Sequence, residues 1–360
     1  MISFNTWGGL ISAPYFLVVK CSCTMYLMRA ALFFALLSTG TLHAAQEAAS
    51  LRASTPADQR MVTDPASVPA VSATFLKDSD MVIGVSIDGA AKAYWLPMVI
   101  WVHRVRDQIG GTPILVTWCS MCNTGLVFRP EADGKELTFS VPGLRGGNLV
   151  LRDEQTGSQW QQATGEAFAG PLKGTHLPLL PFQIASWRTW RARHPDTLAM
   201  VPDPRDQPRY ESMDQRISEP IWEMQPAPMA LKLDARLPPH TMILGVESGN
   251  GSAYPIDGVK DEGIINDQVG TLPLLIVYTA SEDTVTAFTR RIGQQVLTFD
   301  SVGSTGMTDT ETSSAWNADG ECLSGKLKGK RLEPVILEPA FWFAWAEFHP
   351  DTAVYSPFSK

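Results

Sequence analysis

The feature of this chain that points most directly to chemistry is a pair of cysteines separated by two residues. They are Cys119 and Cys122, in the stretch WCSMCN at positions 118–123. Cysteines at this spacing can close a small disulfide, bind a metal ion together, or form a redox pair in which one thiol has a lowered pKa. The residues alone leave these three alternatives open.

Two classes of cofactor are excluded by neighbouring residues. Covalent attachment of haem c requires a histidine directly after the second cysteine, and Asn123 occupies that position. The segment from Gly320 to Lys326 resembles a phosphate-binding loop, but Leu327 stands where Ser or Thr must bind magnesium. We therefore expect neither haem c nor a nucleotide cofactor.

A metal ion bound by Cys119 and Cys122 is a further expectation, without an identity for the metal. A structural zinc site would need two more cysteines or histidines at ligand spacing, and the sequence has no second paired motif. Cys322 with His103 or His176 could supply such ligands only if the fold brings them together. The alternative for Cys322 is a buried free thiol that packs as a small apolar group.

Several residues are candidates to line a pocket around the thiols. Met121, between the two cysteines, is a soft ligand that would suit copper better than zinc. Others come from a stretch at 153–166 that is dense in polar side chains around a tryptophan. The pocket candidates are Trp118, Met121, His103, Gln162 and Glu166.

These residues must be positioned by strands and short helices. The β-branched run at 113–119 predicts a buried strand that ends at the first cysteine and is followed by a turn. Helices are predicted over 93–105, where Pro97 lies near the start, and over 184–193, where the pattern is amphipathic. Further strands are predicted at 80–85, 126–128, 136–141, 148–153, 167–169 and 197–201.

Much of the sequence occurs twice, which predicts two tandem pseudo-equivalent repeats. Residues 81–201 end in Trp-x-x-Trp and then HPDT at 194–197, and residues 242–355 end in the same pattern with HPDT at 349–352. The matching extends over more than a hundred residues, which indicates a duplicated fold unit. We expect each unit to be α+β and sheet-rich, with few helices.

Only the first repeat contains the cysteine pair, since the second has YTASED at 278–283. Residues that both repeats keep are expected to be architectural, and residues found only in the first are candidates for chemistry. By this comparison Cys119, Cys122 and Gln162 remain candidates. Glu166 shifts toward a scaffold role, because Glu321 repeats it.

The N-terminus predicts export. A charged start, an apolar run at 30–37 and a small-residue exit indicate a signal peptide preceded by an upstream extension. The run is shorter than the ~20 apolar residues that span a bilayer, so no stable membrane span is expected in the mature chain. The expected localisation is periplasmic or secreted. The predicted segments are a signal peptide at 1–44, a flexible leader at 45–77, repeat one at 78–202, a proline-rich linker without long regular elements at 203–240, and a degenerate repeat two at 241–357.

Composition narrows the class of partner. The formal net charge is −8 and no basic cluster offsets it, which argues against binding to nucleic acid or to an anionic membrane surface. A small molecule or another envelope protein is the remaining class of partner.

Three stretches of the first repeat carry a family resemblance. They are WCSMCNTGLVF from Trp118, DEQTGSQWQQATGEA from Asp153, and the Trp-x-x-Trp and HPDT pattern from Trp187. Together they resemble the DUF3179 family of exported prokaryotic proteins of unknown function, to which the second repeat is a degenerate match. The resemblance implies that the chain is exported, but it does not imply any particular reaction. It also implies a His-Glu pair after Tyr94, where this chain has Val and His at 102–103.

Two functional hypotheses follow. In the first, Cys119 and Cys122 are the catalytic residues of thiol/disulfide redox chemistry or of metal-linked chemistry. In the second, the chain is a non-catalytic module that binds a ligand or partner, and the cysteine pair is a structural disulfide. The sequence does not decide whether the chain is an enzyme.

Overall fold

The fold is rich in β-strand and has few helices. The structure is a computed structural model that describes residues 52–53, 61–218, 233–302 and 306–356, so the signal peptide predicted over 1–44 lies outside the described residues. The described part has five α-helices and 46% strand, consistent with the predicted α+β class. None of these helices is long and apolar enough to cross a membrane.

The first part of the described chain ends at Ser218. Its strands are β1 Arg52–Ala53, β2 Val62–Thr63, β3 Ser67–Pro69, β4 Met81–Ile87, β5 Ala90–Trp95, β6 Arg104–Ile109, β7 Thr112–Cys119, β8 Thr124–Phe128, β9 Glu131–Ala132, β10 Lys135–Glu136, β11 Phe139–Arg145, β12 Asn148–Asp153, β13 Gln159–Gln161, β14 Ala167–Ala169, β15 Gln183–Ser186 and β16 Leu198–Met200. Its helices are α1 Leu96–Val102, α2 Trp187–Arg193 and α3 Gln207–Ser218.

The second part begins at Leu233. Its strands are β17 Met242–Val246, β18 Ser252–Pro255, β19 Ile264–Val269, β20 Leu272–Thr279, β21 Thr284–Thr289, β22 Arg291–Ile292, β23 Gln295–Val296, β24 Phe299–Val302, β25 Gly306–Asp309, β26 Ala315–Asn317, β27 Cys322–Ser324, β28 Glu338–Phe341 and β29 Ala353–Val354. Its helices are α4 Ile256–Glu262 and α5 Trp342–Phe348.

The sheets of the two parts follow the same order of strands. One sheet runs β15-β4-β5-β16-β3 in the first part and β28-β17-β18-β29 in the second, and the pairs β5–β16 and β18–β29 are parallel. A second sheet runs β2-β6-β7-β8, matched by β19-β20-β21. A third runs β1-β11-β12-β13-β14, matched by β24-β25-β26-β27. The cysteine pair lies at the turn that joins β7 to β8.

A tryptophan packed on a glycine joins α2 to the first sheet. The ring of Trp190 lies directly over Gly84 in β4, where a Cβ atom would be 2.2 Å from the ring. The indole N–H of Trp190 donates to Thr197 Oγ1 at 2.9 Å. At the other end of the helix, Ser186 accepts the backbone N–H of Thr189 and caps α2. The Trp-x-x-Trp and HPDT pattern thus packs the helix against the first sheet, and Ser186, which precedes the pattern, caps the helix.

The same contacts recur in the second part. Trp345 packs on Gly245, where a Cβ atom would be 2.1 Å from the ring, and its indole N–H donates to Thr352 Oγ1 at 3.0 Å. His349 stacks on Trp345 with the ring centroids 3.8 Å apart. These residues hold the end of each part against its first sheet.

Side chains of the β7–β8 hairpin divide between two cores. Val116, Trp118 and Val127 pack with α1 in one hydrophobic cluster. Cys119 and Leu126 point into a second cluster, formed with β11, β12 and residues of the second part. This division follows from the alternation of side chains along a strand. It places the first cysteine on the face that the third sheet covers.

Both helices predicted in the first part are shorter than expected. Residues 93–95 belong to β5, where Tyr94 donates its hydroxyl hydrogen to Asp107 at 2.9 Å and the chain stays extended. Residues 184–186 belong to β15 and pair with β4. Because an apolar run is compatible with a buried strand or a buried helix, its pattern alone does not fix the boundary.

Two segments predicted to lack regular structure are partly regular. The expectation for 203–240 is wrong at its start, because α3 spans 12 residues there. Pro208 is the second residue of α3, where a missing N–H breaks no helical hydrogen bond. The leader predicted over 45–77 contributes β2 and β3 to the edges of two sheets. Short edge strands of this kind have too few residues for a period to be visible.

The contact between Trp190 and Gly84 gives a prediction about stability. Gly84→Ala should lower the free energy of unfolding by about 1–3 kcal/mol, because the added methyl group overlaps the Trp190 ring. The matched control is Gly258→Ala in α4, where an added Cβ meets nothing within 4 Å. Urea denaturation of both variants measures the difference. Equal midpoints for the two variants would contradict the prediction.

Candidate functional site

Cys119 and Cys122 lie on a tight turn between two buried strands. Cys119 ends β7 and pairs with Thr124, the first residue of β8. Asn123 takes the left-handed conformation, with φ 52°, which allows the turn to close. Both thiols are free, and the two residues are only 1% and 0% exposed. Protein therefore encloses both sulfur atoms.

The sulfur of Cys122 accepts a hydrogen bond from a buried amide. Asn148 Nδ2 lies 3.0 Å from Cys122 Sγ and 2.7 Å from Gln162 Oε1. Asn148 is the first residue of β12 and is fully buried. Because a side-chain amide carries two N–H hydrogens, Asn148 donates one to Gln162 and the other to the sulfur.

Neighbouring groups fix the orientation of this amide. Asn148 Oδ1 accepts the backbone N–H of Ala163 at 2.9 Å and the side-chain N–H of Gln161 at 2.7 Å. Gln162 in turn donates to Thr117 Oγ1 at 3.0 Å. If the Asn148 amide were reversed, its own N–H groups would face the N–H groups of Ala163 and Gln161, and neither hydrogen bond could form. The N–H of Asn148 must therefore face the sulfur.

The two thiols have different acidities. Burial raises the pKa of Cys119 well above its ordinary value, and the adjacent sulfur of Cys122 raises it further. Burial also opposes ionisation of Cys122, but hydrogen bonds from Cys119, Thr124 and Asn148 outweigh it and lower the pKa of Cys122. The arrangement favours one thiolate, on Cys122, beside one protonated thiol, on Cys119.

The second part of the chain covers the turn. The backbone N–H of Phe341 donates to the carbonyl oxygen of Cys122 at 2.9 Å, and Asn123 Nδ2 lies 3.2 Å from Met242 Sδ. Phe341 and Phe343 belong to the same hydrophobic cluster as both cysteines. A large reactant can reach either sulfur only when the second part of the chain moves away from the cysteine turn.

A cavity of about 720 Å³ borders the turn and is lined by both parts of the chain. Trp118 and Asn123, which flank the cysteines in sequence, contribute to its wall. Trp190 lines it from the first part, and Leu244 and Val335 line it from the second. The fold thus places a cavity of ligand size next to the residues that flank the cysteine pair, although neither cysteine lines it.

Three of the pocket candidates lie at the dithiol or the cavity. Gln162 is fully buried and reaches Cys122 through the shared Asn148 amide. Met121 is half-buried against the cluster that contains both cysteines. Trp118 lines the cavity, and its ring lies over Gly125, where a Cβ atom would be 2.4 Å away.

The other two candidates contact the backbone of neighbouring strands. His103 ends α1 in the left-handed conformation, with φ 60°, and its Nδ1 lies 3.1 Å from the carbonyl oxygen of Trp118. The carbonyl oxygen of Glu166 accepts the N–H of Gln161 at 2.8 Å, and Glu166 forms an isolated bridge with His176. Both residues support the strands that carry the site.

Cys322 lies in a different core from the cysteine pair. It packs with Phe299 and Trp316 in the third sheet of the second part, and its sulfur lies 3.3 Å from the carbonyl oxygen of Ser324. Within the part of the chain that the structure describes, no three His, Cys, Asp or Glu side chains are grouped to hold a metal ion. The zinc site that would combine Cys322 and a histidine with the pair is therefore not formed there.

Asn148 and Gln161 are part of the site but are missed by sequence reasoning. A signal for Asn148 is present, because a polar residue opens the apolar run at 149–151 after two glycines. A polar side chain in such a buried strand needs hydrogen-bond partners. The sequence does not reveal that one of those partners is a sulfur 26 positions away.

A family model matches most of the chain. Its description is "Protein of unknown function (DUF3179)", and it covers residues 61–352. No curated protein and no solved structure matches the chain.

The Asn148 hydrogen bond gives a prediction about acidity. Asn148→Asp, in a Cys322→Ser background, should raise the pKa of Cys122, because a donor is lost and a like charge is added. The pH dependence of the thiolate ultraviolet absorbance measures this shift. The matched control is Asn266→Asp, since Asn266 also bonds through both ends of its amide, to the backbone of Phe299. The hypothesis fails if both variants titrate like the parent.

Proposed function

Since the chain belongs to the DUF3179 family of proteins of unknown function, its activity must be argued from the site, and we propose that Cys119 and Cys122 form a dithiol that undergoes thiol–disulfide exchange. Cys122 is the attacking thiolate and Cys119 the resolving thiol. The substrate class is a disulfide that can enter when the second part of the chain moves away from the turn.

The observation that carries this proposal is the 3.0 Å contact between Asn148 Nδ2 and Cys122 Sγ. A structural disulfide needs no donor aimed at one of its sulfurs, whereas a thiolate is stabilised by one. The donor is itself held by Gln161, Gln162 and Ala163, all of them at buried positions. A polar network of this kind is costly to bury unless all its members are bonded.

The exchange proceeds in two balanced steps. The Cys122 thiolate attacks one sulfur of a disulfide RSSR, forms a mixed disulfide and expels RS⁻. Cys119 then loses its proton and attacks Cys122 Sγ, which closes the Cys119–Cys122 disulfide and expels the second RS⁻. The two thiolates leave as RSH after taking up one proton from Cys119 and one from solvent or the initial Cys122 thiol. Two electrons pass from the protein to the disulfide.

A second function is favoured by a different contact. The carbonyl oxygen of Cys122 accepts the N–H of Phe341, so the turn also fastens the two parts of the chain together. In this alternative the protein is a non-catalytic module that binds a ligand or partner, and the cysteine pair is a structural disulfide. A metal ion held by the two thiols is the third alternative, and elemental analysis of the purified mature protein tests it.

We also propose that the two parts are copies of one duplicated unit. The shared strand order and the paired Trp190–Gly84 and Trp345–Gly245 contacts support this. The copies then have different roles, because the second has Thr279 and Glu282 at the positions of the cysteines. Export to the periplasm or medium, where disulfides persist, suits an exchange function.

Single cysteine variants test the exchange. In a Cys322→Ser background, Cys119→Ser should accumulate a glutathione mixed disulfide on Cys122 when treated with oxidised glutathione, because no resolving thiol remains. Cys122→Ser should form its mixed disulfide about tenfold more slowly or worse, because Cys119 is the weaker acid. Mass spectrometry of timed samples gives both rates.

The control is Cys322→Ser alone, which should close the Cys119–Cys122 disulfide. If neither single variant reacts while folded, exchange is excluded. Replacing both cysteines by alanine then tests the structural disulfide, which requires that a reductant lower the melting temperature of the Cys322→Ser parent and leave that of the alanine variant unchanged.

A further inference from the structure

The cavity beside the dithiol has the size and the wall of a binding site in its own right. Its volume of about 720 Å³ falls within the ~300–1,000 Å³ of sites that bind small molecules. Residues from both parts of the chain line it, so its shape depends on how the two parts pack together. Its apolar wall includes Trp118, Phe182, Trp190, Leu244, Val335 and Leu337.

Charged side chains in the wall are neutralised by one another. Arg193 lies 2.5 Å from Glu282 and 3.2 Å from Asp319. Lys260 lies 2.7 Å from Asp283. The charged lining residues, all of them in ion pairs, are Arg193, Lys260, Asp283, Asp319, Glu321 and Arg331.

The histidine of the wall adds no charge near neutral pH. His194 packs on Trp190 with the ring centroids 4.0 Å apart and the rings tilted by 33°. Burial, with the nearby Arg193 charge, lowers the pKa of His194. Three cations and three anions line the cavity, so the wall has no excess of either sign. Such a wall favours a neutral ligand, because a charged one would lose its hydration without gaining a free counter-charge.

Two amides in the cavity wall have hydrogen-bond donors that lack a strong acceptor. Gln183 lines the cavity, and its buried Nε2 has no hydrogen-bond partner within the described residues. Asn123 also lines the cavity, and its Nδ2 faces Met242 Sδ, a weak acceptor, at 3.2 Å. A buried donor without a partner is costly, and an acceptor atom on a ligand would remove that cost.

We propose that this cavity binds a neutral, mainly apolar small molecule that carries a carbonyl oxygen, which accepts hydrogen bonds from Gln183 and Asn123. The aromatic rings of Trp118 and Trp190 contact the apolar body of the ligand. Binding does not require the thiols, so the site stands whether or not the dithiol exchanges disulfides.

Nile red, a neutral apolar dye with a carbonyl oxygen, is a suitable probe. Its fluorescence should rise saturably with one dye bound per chain. Gln183→Leu should weaken binding by roughly 2- to 12-fold, the loss of one hydrogen bond to a neutral acceptor. Val285→Trp, at a half-buried wall position, should abolish binding by filling the cavity. An anionic dye, anilinonaphthalene sulfonate, should bind more weakly than Nile red.

Matched controls are available on the exposed strand β23. Gln295→Leu and Val296→Trp make the same chemical changes away from the cavity and should leave the affinity unchanged. Circular dichroism confirms that each variant is folded, and Gln183→Leu supplies the test should Val285→Trp misfold. Cys119→Ala with Cys122→Ala should retain binding. Equal affinities for the wall variants and their β23 controls, or preference for the anionic dye, would overturn the proposal.

Discussion

Burial of the cysteine turn imposes a hydrogen-bonding requirement on which the site depends. A buried polar group that lacks a partner costs about 1–3 kcal/mol, so hydrogen bonding of the Asn148 and Gln162 amides stabilises the buried turn. Asn148 meets this requirement in one orientation only, because Ala163 and Gln161 both donate to its oxygen. Its remaining N–H is then directed at Cys122. The acidity of one thiol therefore follows from the bonding needs of groups that are not themselves reactive.

The second part of the chain contributes enclosure rather than chemistry. It has no cysteine at the equivalent turn, yet Phe341 and Phe343 complete the core around the first part's thiols. It also provides one wall of the cavity, through Leu244 and Val335 among others. A part that lacks the cysteine pair, but has the same tryptophan–glycine packing contact, thus covers the turn of the part that contains the pair.

The sequence predicts the parts of this fold that rest on local patterns. The buried strand before Cys119 and the strands at 148–153 and 167–169 are found close to their predicted bounds, because each is a short run with an apolar centre. Comparison of the two halves of the sequence identifies the cysteine pair and Gln162 as residues that only the first half contains. The ends of the helices are not visible in the sequence, because β5 and β15 each pair with β4 and this pairing keeps apolar residues extended. The Asn148 contact and the cavity arise from long-range packing and have no local signature.

The hydrogen bond from Phe341 to the carbonyl oxygen of Cys122 has a thermodynamic consequence. It ties the backbone of the reactive turn to the covering part of the chain. If oxidation of the cysteine pair weakens or strengthens that contact by a certain free energy, breaking the contact changes the free energy of oxidation by the same amount. Separation of the two parts would then shift the reduction potential of the pair, and reduction or oxidation would shift the equilibrium of separation. Under the proposed disulfide exchange, this backbone contact couples the cohesion of the two parts to the oxidation state of the cysteine pair.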